Sequence, residues 1–456
     1  MNPIFRIELR RSNALALAAL VVLFPVIFEI IFGVRDFWAG NWMKMATILR
    51  SDLLLLAVVA VGAGALQAGL DHRRGIVELL ASTPRSRRSR VLPVALAMAI
   101  AAAAAYLLAF AIASFFVAPY ATYADPAAIA GVVGVGVVMM ATSVWLGLLV
   151  GYLLPSRLTA PIASVLVLLI MAVGSETLGS LGNGAALSLL VPDISPSAES
   201  AATVAVHVSA LQGVWLLALG VSALAAFATA RRGIRIVAAL PAVLALVLVA
   251  PQLPHGRGYM AAYSIDQKAA ELVCATGTPR VCTTRVDAGR LPQVTAPARA
   301  ALTALARLPH PPTQVIEHPR MENTTFEPPA GTRDDTVWMD LTPYDTDTHG
   351  RMLAEDLKDL TATLLADAGV SGRCPDDDQL SGRYEAGDIS TAWLLGRPPV
   401  PDPNTSADDQ ERVRAGWAAL TAVSPAEQVK RVSALRQARL TCKGDPYTLL
   451  TKGSPR

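Results

Sequence analysis

Four cysteines, Cys274, Cys282, Cys374 and Cys442, stand in the carboxy-terminal part of a chain of 456 residues. An even number of thiols in a polar region forms disulfides where that region faces an oxidising compartment. Cys274 and Cys282 would close a small loop and leave Cys374 for Cys442, but the spacing does not choose among the pairings open to four cysteines. Zinc is the competing chemistry, and no CxxC or HxxxH spacing supports it. His310, His318 and His349 are separated by prolines and acidic residues and read as solvated loop histidines. Asp376-Asp377-Asp378 lacks the alternating ligand spacing of a calcium loop, and with Asp334-Asp335 it reads as a solvated turn. There is no GxxxxGK[ST], no HExxH and no GxSxG, so no phosphate cradle, metalloprotease helix or nucleophile elbow is present, and no catalytic residue is assigned.

The other chemistry is ionic. Residues 71–93, DHRRGIVELLASTPRSRRSRVLP, hold Arg73, Arg74, Arg85, Arg87, Arg88 and Arg90 against Asp71 and Glu78, between two long apolar runs. Short loops rich in Lys and Arg stay on the cytoplasmic side of a membrane. Within this loop 75–81 has the pattern of a short helix stopped at Thr83-Pro84, with Ile76, Leu79 and Leu80 on one face. Such a face is a docking surface for a soluble partner or a helix lying on the membrane. Glu29 is the one clear carboxylate inside an apolar run, near its outer end, which makes it a candidate for a substrate or proton path. Gln67 and His207, near other run ends, have weaker claims, and Gly62, Gly64, Gly131, Gly134 and Gly136 read as sites of close helix packing.

The elements that would carry these residues are membrane spans. The chain is 53% hydrophobic and 16% charged, with a mean hydropathy of +0.43. About 20 apolar residues cross the hydrocarbon layer, and such runs are expected at 14–33, 53–70, 91–117, 127–154, 158–174, 204–230 and, barely long enough, 236–251. Residues 2–12 alternate apolar and basic side chains, as a helix lying in the inner interface would. With the N-terminus inside, the cytoplasmic segments hold Arg6, Arg10, Arg11, the loop arginines, Arg157, Arg231, Arg232 and Arg235. The exterior short segments hold only Arg35, Lys44 and Arg50. Seven spans then put residues 252–456 outside, where the cysteines can oxidise. Residues 175–203 lack Lys and Arg and read as an exterior loop or a re-entrant hairpin.

Charge changes sign along the chain, net positive to Pro251 and net negative beyond it, which suggests two modules. The overall charge of +3 follows from loop arginines and gives no reason to expect nucleic acid. After a connector at 251–258, helices are expected at 297–307, 350–368, 407–422 and 425–440, and strands at 280–285, 313–317 and 336–341. That pattern describes a small α+β domain.

The segment Arg73-Arg74-Gly75-Ile76-Val77-Glu78-Leu79-Leu80-Ala81-Ser82-Thr83-Pro84, with Arg87 after it, resembles the coupling segment of ABC-2 type transporter permeases. These are the membrane subunits of ABC exporters, among them bacterial drug, antibiotic and lipid exporters. Gly151-Tyr152-Leu153-Leu154-Pro155-Ser156-Arg157 is similar to that family's inner turn between the fourth and fifth spans. The resemblance covers residues 1 to about 235. It implies a six-span half in the cytoplasmic membrane of a bacterium, pairing with a second permease half as a homo- or heterodimer and with a separate cytoplasmic ABC ATPase subunit that binds the ATP. Arg73, Arg74, Gly75, Ile76, Glu78, Leu79, Leu80 and Pro84 would form the ATPase-coupling segment. The stretch 236–251 and the domain 252–456 are additions to the family pattern. They leave a second reading, a permease-derived anchor for an extracytoplasmic receptor or binding domain. Deleting 252–456 separates the two, because an exporter would keep ATP-dependent efflux and an anchored receptor would lose its activity.

Overall fold

The computed structural model describes residues 12–31, 35–73, 86–180, 189–191, 196–229, 231–254, 261–319, 334–370, 383–401 and 405–453, leaving aside the side chains of 29–31, 35, 71–73, 174–180, 232 and 367. The expected interfacial helix at 2–12 and most of the segment 181–195 lie outside these residues. The chain divides into two compact units, Met1–Ser197 with Ala202–Ser264, and Ala198–Ala201 with Ile265–Arg456.

The first unit runs through α1 (Ala14–Ile31), the short α2 (Arg35–Trp38), α3 (Trp42–Ser51), α4 (Leu53–Arg73), α5 (Arg87–Val117), α6 (Pro126–Leu153) and α7 (Thr159–Ser180). It continues with β1 (Ala202–Val204), α8 (Val206–Ala228), α9 (Arg232–Ala238), α10 (Leu240–Val249) and β2 (Tyr263–Ile265), of which the first two residues belong here. Among the described residues five stretches are long and apolar enough to cross a membrane: Leu53–Leu70, Arg87–Val117, Pro126–Leu153, Val206–Ala228 and Gly233–Gln252. Ala14–Phe28 and Thr159–Val173 are shorter apolar helices. The helix ends follow local chemistry. Ser86 caps α5 by accepting from Ser89 N, and Asp125 caps α6 by accepting from Ala127 N and Ala128 N, with Pro126 in the first turn. α9 and α10 form one apolar stretch interrupted at Ala239, because Pro241 has no N–H to continue the ladder; Ala242 N is met instead by Ser222 Oγ of α8 at 3.1 Å.

α4 packs on α6 and α7, α6 on α5 and α8, α1 on α5, and α8 on α10. Small residues and single hydroxyls hold these seams, as expected where neither lipid nor water distinguishes one apolar surface from another. Thr142 Oγ1 donates to Leu216 O at 2.9 Å, Ser164 Oγ to Val58 O at 3.1 Å, and Trp145 Nε1 to Ala95 O at 3.1 Å. Gly64, Gly136, Gly131 and Gly62 lie against Val144 and Leu148, Tyr106, Ser209 and Ser164, in that order. Gly134 differs from the expectation, since nothing lies within 4 Å of where its Cβ would be. Gly147 and Gly151, which were not singled out, make the closest approaches, to the backbone of Val61 and Ala65. β1 and β2 pair as a two-stranded sheet, with Ala205 N donating to Ala262 O at 3.1 Å.

Helix α3 is a departure from the expected exterior segment. Asn41 Oδ1 caps it by accepting from Met43 N and Lys44 N, and every residue from Lys44 to Arg50 is buried against α5 and α6. Lys44 and Arg50, counted from the sequence as charges of an exterior segment, are buried side chains, and Trp38 is buried as well.

The second unit is α+β. Strands β3 (Leu272–Cys274), β4 (Arg280–Thr284), β5 (Gln314–Glu317) and β6 (Thr336–Met339) form one sheet in that order, the first pair antiparallel and the other two parallel. Val281, Val315 and Val337 stand in register across the parallel strands. They pack with Val294, Ala298 and Leu305 of α11 (Leu291–Leu305) and with Leu360 and Leu364 of α12 (Ala354–Leu365). Ile389 of α13 (Arg383–Leu395), Leu420 of α14 (Ala407–Thr421), Leu435 of α15 (Pro425–Thr441) and Leu450 of α16 (Pro446–Lys452) complete the core. Strands β4, β5 and β6 and helices α14 and α15 fall where the sequence pattern puts them, whereas β3 was not expected. α13 and α16 were not anticipated, and α11 starts six residues before Pro297, which stands inside it; Pro292 is the proline of its first turn.

Candidate functional site

The proposed coupling segment, Arg74 to Pro84, lies outside the described residues, as does the side chain of Arg73. The structure describes the helix ends on either side of it. α4 ends at Arg73 and α5 begins at Arg87. The Arg87 guanidinium lies over the ring of Tyr152, 3.8 Å from its centroid, and donates from Nε and Nη2 to Phe227 O, both at 3.1 Å. Arg235 Nη2 donates to Tyr152 Oη at 2.9 Å, and its Nε to Thr229 O at 3.2 Å. Tyr152 and Phe227 meet edge to face. The carbonyls that close α8 have no donor of their own helix, and a cation suits that end of the dipole. A half-buried cation–π contact adds about 1 kcal/mol. Four chain segments, from the starts of α5 and α9 and the ends of α6 and α8, thus meet at one ring. Sequence reading named Tyr152 and Arg235 only as parts of a turn and a topology signal.

Glu29 stands in the last turns of α1, with its side chain outside the described set. Gln67 Oε1 accepts from Asn13 N at 3.1 Å, holding α4 to the start of α1, and His207 is exposed. A buried polar cluster does occur elsewhere in the unit. Arg50 is fully buried and donates from Nη2 to Gln212 Oε1 of α8, while Gln212 Nε2 donates to Leu189 O at 2.7 Å. Arg50 and Asp52 both lie within electrostatic reach of Tyr106 of α5, whose buried hydroxyl has no hydrogen-bond partner among the described residues. The sequence signal for this cluster was present, an arginine and an aspartate beside a long apolar run. Counting Arg50 among the charges of an exterior segment did not reveal it. Separately, an apolar groove of ≈ 670 Å³ between α1 and α5, lined by Leu15, Val22, Leu23, Ile100 and Leu108 among others, presents no group for chemistry.

In the second unit Cys274 and Cys282 form a disulfide across the β3–β4 pair, where they stand opposite each other. Cys442 is also disulfide-bonded. Cys374 lies outside the described residues, as do Asp376–Asp378. Among the described residues no group of three or more His, Cys, Asp or Glu is gathered as metal ligands. His318 packs edge to face on Trp338, and His349 lies beside Asp347.

Three buried carboxylates, Glu199, Asp287 and Glu317, were not foreseen. Glu317 ends β5 and its Oε2 accepts from Thr284 N at 2.7 Å and Thr284 Oγ1 at 3.2 Å; Asp287 is paired with Arg290. Burial, and then the neighbouring Asp287 and Glu199 carboxylates, hold the Glu317 proton well above the usual carboxyl range. The folded chain therefore keeps this proton where the unfolded chain has lost it. The stabilisation is complete below the unfolded value, about 4.3, and is lost as pH rises from there through the folded value. Glu317→Gln mimics the protonated acid and is expected to raise the thermal midpoint of the detergent-solubilised protein at pH 8 and to flatten its decline from pH 5 to 8. A variant that tracks wild type across this range would show that Glu317 is ionised when folded.

The apolar helices and their packing define the class, a helical multi-span membrane protein carrying a disulfide-bonded α+β unit. Comparison with protein-family models, with curated proteins and with solved structures finds no match to this chain.

Proposed function

We propose that the chain is the permease subunit of an ABC exporter of the ABC-2 type, in the cytoplasmic membrane of a bacterium. It works with a second permease half and with a separate cytoplasmic ABC ATPase. The observation that carries the reading is the gathering of basic helix ends at one end of the bundle. Arg87 and Arg235 meet on Tyr152, so the starts of α5 and α9 and the ends of α6 and α8 share a face. A face that collects arginines from several short connections is the cytoplasmic one, and α5 begins at it with Arg87.

Sidedness of the rest follows. α8 spans 23 residues, about 34 Å, from the basic end to β1. Gly233–Gln252 leads from the same basic end, and β2, which follows it, pairs with β1. The chain therefore returns to the level it left, so α8 and α9–α10 cross together or not at all. This supports a true seventh crossing and an exterior place for residues 252–456, where the Cys274–Cys282 bond persists. ATP-driven closure of the partner would press on Ile76, Glu78, Leu79 and Leu80, framed by Arg73, Arg74, Gly75 and Pro84, and rock the helices so that a drug-, antibiotic- or lipid-like substrate moves outward, past Glu29.

The test is a double substitution, Glu78→Arg with Leu79→Asp, in the tagged chain expressed in its own host. Membrane insertion is expected to persist while co-purification of an ATPase subunit falls to background. Undiminished co-purification would refute the coupling assignment. A carboxy-terminal tag that resists protease until cells are broken would refute the seven-span topology.

A further inference from the structure

The contacts at Tyr152 join segments that are far apart in the chain and differ in what they lead to. Arg87 is the first residue of α5 and directly follows the segment 74–85. Tyr152 is the penultimate residue of α6, Phe227 and Thr229 close α8, and Arg235 belongs to the helix that leads to the second unit. A guanidinium that stacks on a ring and donates twice to one carbonyl is fixed in orientation as well as distance. It transmits rotation, which a lysine's point charge would not. The Tyr152 hydroxyl adds a second link, to Arg235, so one ring carries two guanidinium groups, 3.8 Å and 5.0 Å from its centroid.

We propose that Tyr152 is a positioning residue, the joint through which displacement of the 71–90 loop reaches α6, α8 and α9 together. Arg87 is its input and Arg235 its output toward the last span. The inference deepens the permease reading and rests on it. Under it, nucleotide-driven movement at the loop is felt at the outer end of α10 only while both arginines hold the ring.

The experiment uses the full chain in membranes of its own host, so that any ATPase partner is present, with Gln252→Cys as a reporter near the outer end of α10. Right-side-out vesicles are loaded with Mg-ATP and orthovanadate or left empty, and labelling of the new thiol by an impermeant maleimide is timed. The wild-type background is expected to change its labelling rate on loading. Tyr152→Phe, which keeps the ring under Arg87 but removes the hydroxyl, is expected to shrink that change about tenfold, the factor for a lost hydrogen bond to a charged donor. Its ATPase co-purification and its labelling in empty vesicles should match the parent, and its thermal midpoint should fall by only a few degrees. Arg87→Lys should behave likewise. If Tyr152→Phe responds with the parent's full amplitude, the joint is a staple only and the proposal falls. If the parent itself does not respond to loading, the permease reading falls and the joint with it.

Discussion

Leucine at Gly147 is expected to prevent the first unit from assembling, so that little folded protein is recovered from membranes. The glycine lies where α6 crosses α4. A Cβ there would stand 2.2 Å from Val61 O and 2.9 Å from Val61 C and Cα. A Cβ at Gly151, one turn on, would stand 2.3 Å from Ala65 O, and one at Gly64 of α4 would stand 2.5 Å from Val144 O. These are backbone atoms, which cannot swing aside as a side chain does. Overpacking that side chains can absorb costs about 1–3 kcal/mol; here the helices must part, and the seam of Gly64, Gly147 and Gly151 is lost along its length. Gly134→Ala is the control in the same helix. Nothing lies within 4 Å of its added methyl, so yield and thermal midpoint should hold or rise. Equal recovery of Gly147→Leu and wild type, read by size-exclusion chromatography in detergent, would mean that α4 and α6 are not in backbone contact.

Arg50→Ala should be the most damaging change at a single polar side chain. Arg50 is fully buried, and its bond to Gln212 joins α3 to α8, while Gln212 holds Leu189 O in turn. Alanine leaves Gln212 Oε1 without this donor and opens a cavity where a large side chain was. Truncating a large buried side chain costs about 2–5 kcal/mol, and a buried acceptor left without its donor about 1–3 kcal/mol. Arg50→Met fills most of the volume and removes the need to keep a cation out of water, so its loss should be smaller. The expected order of thermal midpoints in detergent is wild type, then Arg50→Met, then Arg50→Ala. If Arg50→Ala were as stable as Arg50→Met, the guanidinium and its packing would contribute nothing.

Local patterns carried much of the architecture. The third and fourth spans end close to where apolar runs meet Ser86 and Asp125, because capping and hydropathy are properties of neighbouring residues. β4, β5 and β6 were legible for the same reason, as short β-branched runs between breaks. The burial of α3 was not legible. Its charges read as those of an exterior segment, and their burial depends on Gln212, which stands opposite Arg50 and 162 residues away. Gly134 and Gly147 look alike in sequence, and only the neighbouring helix distinguishes an open position from a backbone crossing. Glu317 gave no sign of its raised proton affinity, which comes first from its burial and then from Asp287 and Glu199 on other segments.

Taken alone, the order of residues determined that this is a membrane chain with apolar helices, an arginine-rich loop and a polar thiol-bearing tail. Those features depend on composition and on spacings of a few residues. Tertiary structure decided that Cys274 bonds Cys282, that Arg87 and Arg235 share Tyr152, and that β1 pairs with β2 across the last two apolar stretches. Each of these is a meeting of groups that neighbouring residues cannot specify, since it depends on how helices and strands pack once formed.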